Sequence, residues 1–444
     1  MNPLISRIPA FARAASTSAA SANKHKVVVI GGGTAGLATA NQVYNLFKAQ
    51  DKTLADGDVA IVDANQHHDY QPGWTVVGSG LAQKEQFRRP LDSLIPKHLA
   101  HIKASASAFE PGTNQVLLSD GSKVAYDFLI VAPGLQINWA NIKGLPEALK
   151  DPLSTNVGSI YSWDTVDKTW AIIERFQAGQ GEAVFTQPFG PVKCAGAPQK
   201  VNYMSDSFWK EQGRNIHSTF VTGMPAMFAQ PHYAKALNKI REAKGISGHF
   251  NTNLVEVKTD TKTAVFNILD GEKKGEQVEI EYGLLHVVPP MGPLDTIKKS
   301  PLADAVGWVD VNEGTLQHKK FPNVFSLGDA SSLPTSKTAA AITGQAPVLA
   351  HNLVSLMETG KLGNAIYDGY TSCPLFTGRG ELLLAEFKYA GALAETFSGL
   401  TDQSVPNRAF YHLTKDVFPR VYFNNLVKGT WYGTRGIFPP QFSS

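Results

Sequence analysis

Six residues, Gly31-Gly-Gly-Thr-Ala-Gly36, constrain this chain more than any others. They follow a short β-branched run, Lys26-Val-Val-Val-Ile30. They open a stretch from Leu37 to Phe47 in which Leu37, Ala40, Val43, Tyr44 and Phe47 recur at helical spacing. Strand, glycine turn and helix in that order begin a dinucleotide-binding βαβ unit. In Gly31-x-Gly33-x-x-Gly36 the first glycine permits the tight turn, the second admits a pyrophosphate against the backbone, and the third lets helix and strand pack closely. The helix N-terminus adds positive potential. A second strand, Val59-Ala-Ile-Val62, ends in Asp63, 27 residues past Gly36. The usual spacing is about 20, and a lengthened connection through Asp51 to Asp58 absorbs the excess. The Asp63 carboxylate is expected to accept hydrogen bonds from an adenosine ribose.

A chain of 444 residues exceeds the size at which a single core keeps growing, so more than one domain is expected. Further buried-strand candidates are Phe128 to Val131, Ala183 to Thr186, Ser218 to Thr222, Leu284 to Val288 and Val324 to Leu327, with helical stretches between them. The alternation predicts an α/β fold. Hydrophobic residues at 43% and charged residues at 18% describe an ordered globular chain. A net charge of +3, from 41 basic and 38 acidic residues without clustering, excludes a nucleic-acid partner. Residues 1–25 carry Arg7, Arg13 and Lys24, many Ser and Ala, and no acid, the composition of a mitochondrial transit peptide. No run of about 18 apolar residues is present to span a bilayer as a helix.

Leu129-Ile-Val-Ala-Pro-Gly134 and Asn323-Val-Phe-Ser-Leu-Gly-Asp-Ala330 resemble the flavin disulfide-reductase superfamily. The resemblance implies FAD as cofactor, with Gly328-Asp329 placing a carboxylate on the flavin ribityl chain. In such enzymes a second glycine fingerprint binds NAD(P)H, but here the strand from Ala183 runs into Gln187-Pro-Phe-Gly-Pro-Val-Lys-Cys-Ala-Gly-Ala-Pro-Gln-Lys200. Prolines and a cysteine stand where phosphate-cradling glycines are needed, and Phe220-Val-Thr222 ends without a ribose-binding acid.

Cys194 and Cys373, 179 residues apart, are the chain's two cysteines, too far apart for a CxxC motif and too few for a zinc knuckle, and no metal site is expected. A free cysteine often packs as a small hydrophobe. Cys194, however, follows Lys193 and precedes an expected helix start near Pro198, with Lys200 close by, a setting that favours thiolate. Cys373, in Thr-Ser-Cys-Pro-Leu, is expected in an accessible loop.

Pro191 to Lys200 and Tyr370 to Leu375 closely resemble the mitochondrial type of sulfide:quinone oxidoreductase, as do Tyr70-Gln-Pro-Gly-Trp-Thr-Val-Val-Gly78 and Pro334-Thr-Ser-Lys-Thr-Ala-Ala-Ala341. The resemblance implies that Cys373 receives hydrogen sulfide and holds the sulfane sulfur, while Cys194 passes two electrons through FAD to ubiquinone. A small acceptor such as glutathione, sulfite, cyanide or coenzyme A would remove the sulfur. It further implies FAD contacts from Thr34, Ala35, Gln71, Lys337 and Thr338 and from the backbone of Ala106, in a strand expected over Ile102 to Phe109. A Lys337 cation there would stabilise the anionic reduced flavin. The proline of Ala132-Pro133-Gly134 departs from a less constrained middle residue.

The expected organisation is two Rossmann-like units and a tail. Residues 26–150 and 316–368 form the FAD-binding domain, 151–315 a second unit carrying Cys194, and 369–444 a redox-cysteine and membrane-associating segment. From Tyr411 to Phe438 aromatic and aliphatic residues mix with Lys415, Arg420, Lys428 and Arg435, as in a monotopic anchor on the matrix side of the inner membrane. Pro419 would divide it into two short helices. The bland alternative is a packed core or a contact within a homodimer. The competing functions are an NADH:quinone oxidoreductase of the same superfamily and a non-catalytic flavoprotein.

Overall fold

In the computed structural model, which describes residues 23–442, the β-branched run becomes the strand Asn23–Ile30. The expected transit peptide therefore lies outside the described residues, apart from Asn23 to His25, which begin this strand. Val27, Val28 and Val29 are completely buried, as befits a strand covered on both faces. It lies between Val59–Val62 and Lys123–Val131, parallel to both. Ala100–Ile102 extends the sheet beyond Val59–Val62, and Val324–Ser326 pairs in parallel with the last residues of Lys123–Val131. The other half of that nine-residue strand pairs antiparallel with Gln115–Leu118, which carries Ala106–Glu110 on its far side. The strand expected over Ile102 to Phe109 is thus two, broken at 103–105. The reason is topological: its two halves belong to opposite ends of the hydrogen-bonded order, and the sheet curls to let three residues join them.

The glycine turn leads into the helix Thr34–Ala49, whose inner face holds Leu37, Ala38, Ala40 and Val43. Gly31 has φ +101°, the left-handed region that favours glycine. A side-chain carbon on Gly36 would overlap the Gly31 carbonyl oxygen, so the third glycine sets how closely the helix approaches the strand.

A second sheet, parallel throughout, runs in the order Val157–Gly158, Leu284–His286, Ala183–Gln187, Ser218–Thr222, Ser247–His249. Its helix Ala197–Glu211 follows the Cys194 loop, close to the start expected near Pro198. An antiparallel sheet of Thr252–Lys258, Thr263–Ile268 and Gln277–Glu281 stands beside it.

After the helix Ala339–Thr359 the chain forms a hairpin, Thr371–Gly378 with Glu381–Phe387, against Ala197–Glu211. The tail then folds as Arg408–His412, a π-type turn Leu413–Val417 and Phe418–Asn424, with Pro419 in the first turn of the last helix, where its missing N–H costs nothing. Tyr422, Leu426 and Val427 turn inward, and the Asn41 side-chain amide donates to the Val427 carbonyl at 2.9 Å. Part of the tail's apolar set is therefore core, while Val417, Ile437 and Phe438 remain exposed. Among the described residues no helix is long and apolar enough to cross a membrane.

Gly36→Ala is expected to lower the melting temperature of the cofactor-free protein by several degrees, because overpacking costs about 1–3 kcal/mol. Gly33→Ala should leave it nearly unchanged, since nothing lies within 4 Å of that position. Thermal unfolding of both variants checks the contrast.

Candidate active site

A cavity of about 650 Å³ opens at the carboxyl ends of the first sheet's parallel strands. It is lined by Gly31 to Ala35 with Asp63, by Gln71 and Ala106, and by Lys193, Cys194, Asp329, Lys337 and Thr338. Residues predicted from three distant stretches of sequence thus share one space. Gly36 and Gly328 support it without lining it: Gly328, at φ +67°, sits under Ala35 and donates its N–H to the Gln345 side chain at 2.8 Å.

The helix Thr34–Ala49 starts at Gly33 with no side-chain cap and no acid in its first turn, so its leading N–H groups face the cavity unsatisfied. Gly33 has open space on its outer side. An N-terminus left uncapped beside a cavity is suited to phosphate. Asp63 already serves the turn: its carboxylate accepts from the Gly32 N–H at 2.6 Å and from the Asn65 backbone N–H at 2.7 Å. Its oxygens retain lone pairs for a ribose hydroxyl.

Lys337 is an enclosed cation rather than a surface lysine. Its Nζ donates to the carbonyls of Asp329 at 2.8 Å and Ser331 at 3.1 Å and lies 3.9 Å above the Trp308 ring. Burial holds the Lys337 ammonium down to about 8 against the pull of Asp329. Lys193, which donates to the Gln71 side chain at 2.7 Å, is likewise held down to about 8 by burial. Burial also raises the Asp329 carboxyl, opposed by both lysines. Sequence reasoning used Lys193 only as a neighbour of Cys194 and missed its place in the wall. It also missed Tyr161, whose hydroxyl donates to the Lys193 carbonyl at 3.3 Å.

Cys194 adopts φ +53°, a left-handed conformation costly for a side chain of this type. It is held there because its N–H donates to the Lys337 carbonyl at 2.8 Å and its carbonyl accepts from Ala197 at 2.8 Å, turning the chain into the helix. Lys200, in that helix's first turn, places Nζ 3.2 Å from the Cys194 sulfur. Cys373 differs from expectation. It lies in the strand Thr371–Gly378, opposite Ala385, completely buried rather than in an accessible loop. The Thr-Ser-Cys-Pro composition reads as a loop, but a two-stranded hairpin has free edges that tolerate Pro374. Burial pushes the Cys373 thiol up to about 12, with Cys194 adding to the rise and Lys200 opposing it. Both cysteines are free thiols.

Residues 25–173 match the family model described as pyridine nucleotide-disulphide oxidoreductase. The mitochondrial sulfide:quinone oxidoreductase of Schizosaccharomyces pombe is 45% identical over 435 residues, covering 94% of this chain and 93% of the relative. The chain belongs to the mitochondrial sulfide:quinone oxidoreductase family. The member from Dictyostelium discoideum is 42% identical over 94% of this chain and 89% of its own length. The crystal structure of sulfide:quinone oxidoreductase from Aquifex aeolicus aligns with a TM-score of 0.74 at 19% identity, covering 92% of each chain, and shares the fold.

Members of this family are FAD-dependent oxidoreductases, and the cavity fits that cofactor. An uncapped helix N-terminus, the carboxylates of Asp63 and Asp329 and the cation of Lys337 line one cavity, a donor and acceptor set that fits a dinucleotide flavin. Gly33→Val and Asp329→Ala are expected to purify colourless, the first by filling the space beside the helix N-terminus, the second by removing an acceptor. The ratio of flavin to protein absorbance measures the loss.

Proposed function

We propose that this sulfide:quinone oxidoreductase oxidises sulfide with Cys194 and Cys373 as a redox pair and passes two electrons to ubiquinone. The observation that carries the assignment is the contrast between the thiols: Cys194 lines the cavity with Lys200 3.2 Å from its sulfur, while Cys373 is buried behind it. In thiol–disulfide exchange the sulfur better able to hold negative charge leaves. Hydrosulfide attacking an oxidised Cys194–Cys373 bond therefore adds to Cys373, expelling Cys194 as a thiolate that pairs with the Lys200 ammonium. One S–S bond forms, one breaks, and the electron pair rests on Cys194. Burial, which penalises a Cys373 anion, favours keeping that sulfur bonded as a persulfide. A nucleophilic acceptor such as glutathione or sulfite takes the outer sulfur and leaves a Cys373 thiolate. Removal of two electrons from the thiolates re-forms the disulfide. Bound FAD supplies the two-electron acceptor that links this oxidation to quinone reduction.

The cofactor contacts proposed are Gly31, Gly33, Thr34, Ala35, Gln71, the Ala106 backbone, Lys337 and Thr338, with Asp63 and Asp329 as acceptors and Gly36 and Gly328 as supports. A division into an FAD-binding domain of residues 26–150 and 316–368 around a Cys194-bearing unit of 151–315 is supported by the sheets, since the seven-stranded mixed sheet draws its strands from the first two ranges and the five-stranded parallel sheet from the third. In the second unit the loop after Ala183–Gln187 folds over its neighbour. Gly223 donates to the Gln187 carbonyl at 2.9 Å, and a side chain on Gly223 would overlap the backbone of Phe189. With prolines and a cysteine in place of phosphate-cradling glycines after Ala183–Gln187, the unit lacks the fingerprint that NADH needs, which disfavours NADH as donor.

Sulfide mixed with the FAD-loaded protein in a stopped-flow instrument is expected to bleach the flavin, whereas NADH is not. Cys194→Ser and Cys373→Ser should each keep the yellow colour and lose at least about a thousand-fold in sulfide-dependent quinone reduction, because the nucleophile is gone. Near-normal turnover in either variant returns that cysteine to a packing role.

For a mitochondrial member whose second substrate dissolves in the bilayer, we propose a peripheral contact through the tail, on the matrix side of the inner membrane. Ile437 and Phe438 are exposed beside Arg435, suited to acyl chains and anionic headgroups respectively. Deleting the tail would uncover core, so surface substitution is the cleaner perturbation. Ile437→Glu with Phe438→Glu is expected to abolish flotation with anionic liposomes and to slow reduction of long-tailed quinone, leaving flavin bleaching by sulfide intact.

A further inference from the structure

Tyr422 lies 388 residues beyond Thr34, yet their hydroxyl oxygens are 2.6 Å apart. The Tyr422 hydroxyl is also 2.7 Å from Nε2 of His68, whose Nδ1 is 2.9 Å from the Gly32 carbonyl. His68 and Tyr422 are both buried. Burial disfavours the charged imidazole. With one proton on the ring the order of donors is fixed. The Gly32 carbonyl only accepts, so Nδ1 carries the proton. Nε2 must then accept from the Tyr422 hydroxyl, whose oxygen accepts in turn from Thr34.

The chain ends on both sides of the phosphate-facing turn. His68 holds the Gly32 carbonyl, Asp63 holds the Gly32 N–H, and Tyr422 holds the Thr34 side chain at the first residue of the uncapped helix. Tyr422 is fixed in turn by the ring of Tyr70 at 4.6 Å, one residue before Gln71. Its segment is pinned further along by Asn41 on Val427. No part of the sulfur chemistry uses His68 or Tyr422.

We propose that His68 and Tyr422 are positioning residues for FAD, a latch through which the C-terminal segment holds the glycine turn in its binding geometry. His68 lines the edge of the cavity, whereas Tyr422 lies outside its lining and acts through His68 and Thr34. The latch makes cofactor retention depend on the docking of a segment encoded at the far end of the chain. It is independent of which thiol receives sulfide.

The test uses the full-length protein stripped of FAD. Affinity is measured from the quenching of FAD fluorescence on titration, and melting temperatures are taken with and without cofactor. Removing one member of a buried hydrogen-bonded chain leaves its partners unpaired, so Tyr422→Phe and His68→Leu should each weaken FAD binding about ten-fold. Because the two act through one chain, the double variant should bind about as well as either single variant. The control is Tyr203→Phe, which removes a buried tyrosine hydroxyl bonded to the Leu237 carbonyl in the second unit. Both variants should lower the cofactor-free melting temperature, and only Tyr422→Phe should weaken FAD binding. An FAD affinity within about two-fold of wild type in Tyr422→Phe would overturn the latch. So would an equal weakening of FAD binding in Tyr203→Phe, which marks a general loss of stability and not a latch on the glycine turn.

Discussion

The arrangement depends first on the packing of one helix start against one strand. Gly196, just ahead of the helix Ala197–Glu211, has no side chain because the Leu375 side chain occupies that space. Strand Thr371–Gly378 thereby lies close enough for Cys194 and Cys373 to act on each other electrostatically and for Lys200 to act on both. Two further ties fix the register. The Cys194 N–H is bonded to the Lys337 carbonyl, and the hydroxyls of Thr338 and Thr371 are 2.9 Å apart. The segment Lys337-Thr338 thus joins the cavity wall, the Cys194 turn and the Cys373 strand. A displacement of any one would be felt by the other two, since packed interiors transmit small shifts rather than absorb them.

The same scaffold shows what stands in the second parallel sheet where a glycine fingerprint would be. Its five parallel strands are ordinary, and the crevice at their carboxyl ends is where such sheets bind ligands. Here the loop from Gln187 to Gly196 carries Lys193 and Cys194 to the cavity at the first sheet. Phe189 backs onto Gly223, Lys193 reaches Gln71 across the cavity, and Cys194 is bent into a left-handed turn by hydrogen bonds at both of its peptide groups. Strain of that kind persists only where the surroundings over-determine it, and such residues cluster at functional sites.

Local features were legible in the sequence because their physics is local. The glycine turn, the helix after it and most parallel strands follow from residues within about ten positions of each other, and their bounds moved by only a few residues. Cys373 was misread for the converse reason. Thr, Ser and Pro around it carry the composition of a loop, and the strand exists through its pairing with Glu381–Phe387 and its burial against a helix nearly two hundred residues earlier. The strand expected through Ala106 failed because periodicity does not report which sheet neighbour each half finds. Lys193 and Lys337 were visible as cations, but their enclosure was not. The contact of Tyr422 with Thr34 and His68 leaves no signal in any window of sequence.

The tail shows why an apolar pattern alone could not decide between core and membrane. Tyr422, Leu426 and Val427 look no different in sequence from Val417, Ile437 and Phe438, yet the first three are buried and the last three exposed. The π-type turn Leu413–Val417 and the left-handed Gly429 rotate the segment so that one side meets the helix Thr34–Ala49. Gly429 has to be glycine, because a side chain there would strike the backbone of Gln42. The inner side therefore answers to the cofactor domain and the outer side to whatever surface the protein meets. One short segment thus ties the outer residues proposed to meet a bilayer to Tyr422, which is bonded to Thr34 and His68 at the glycine turn.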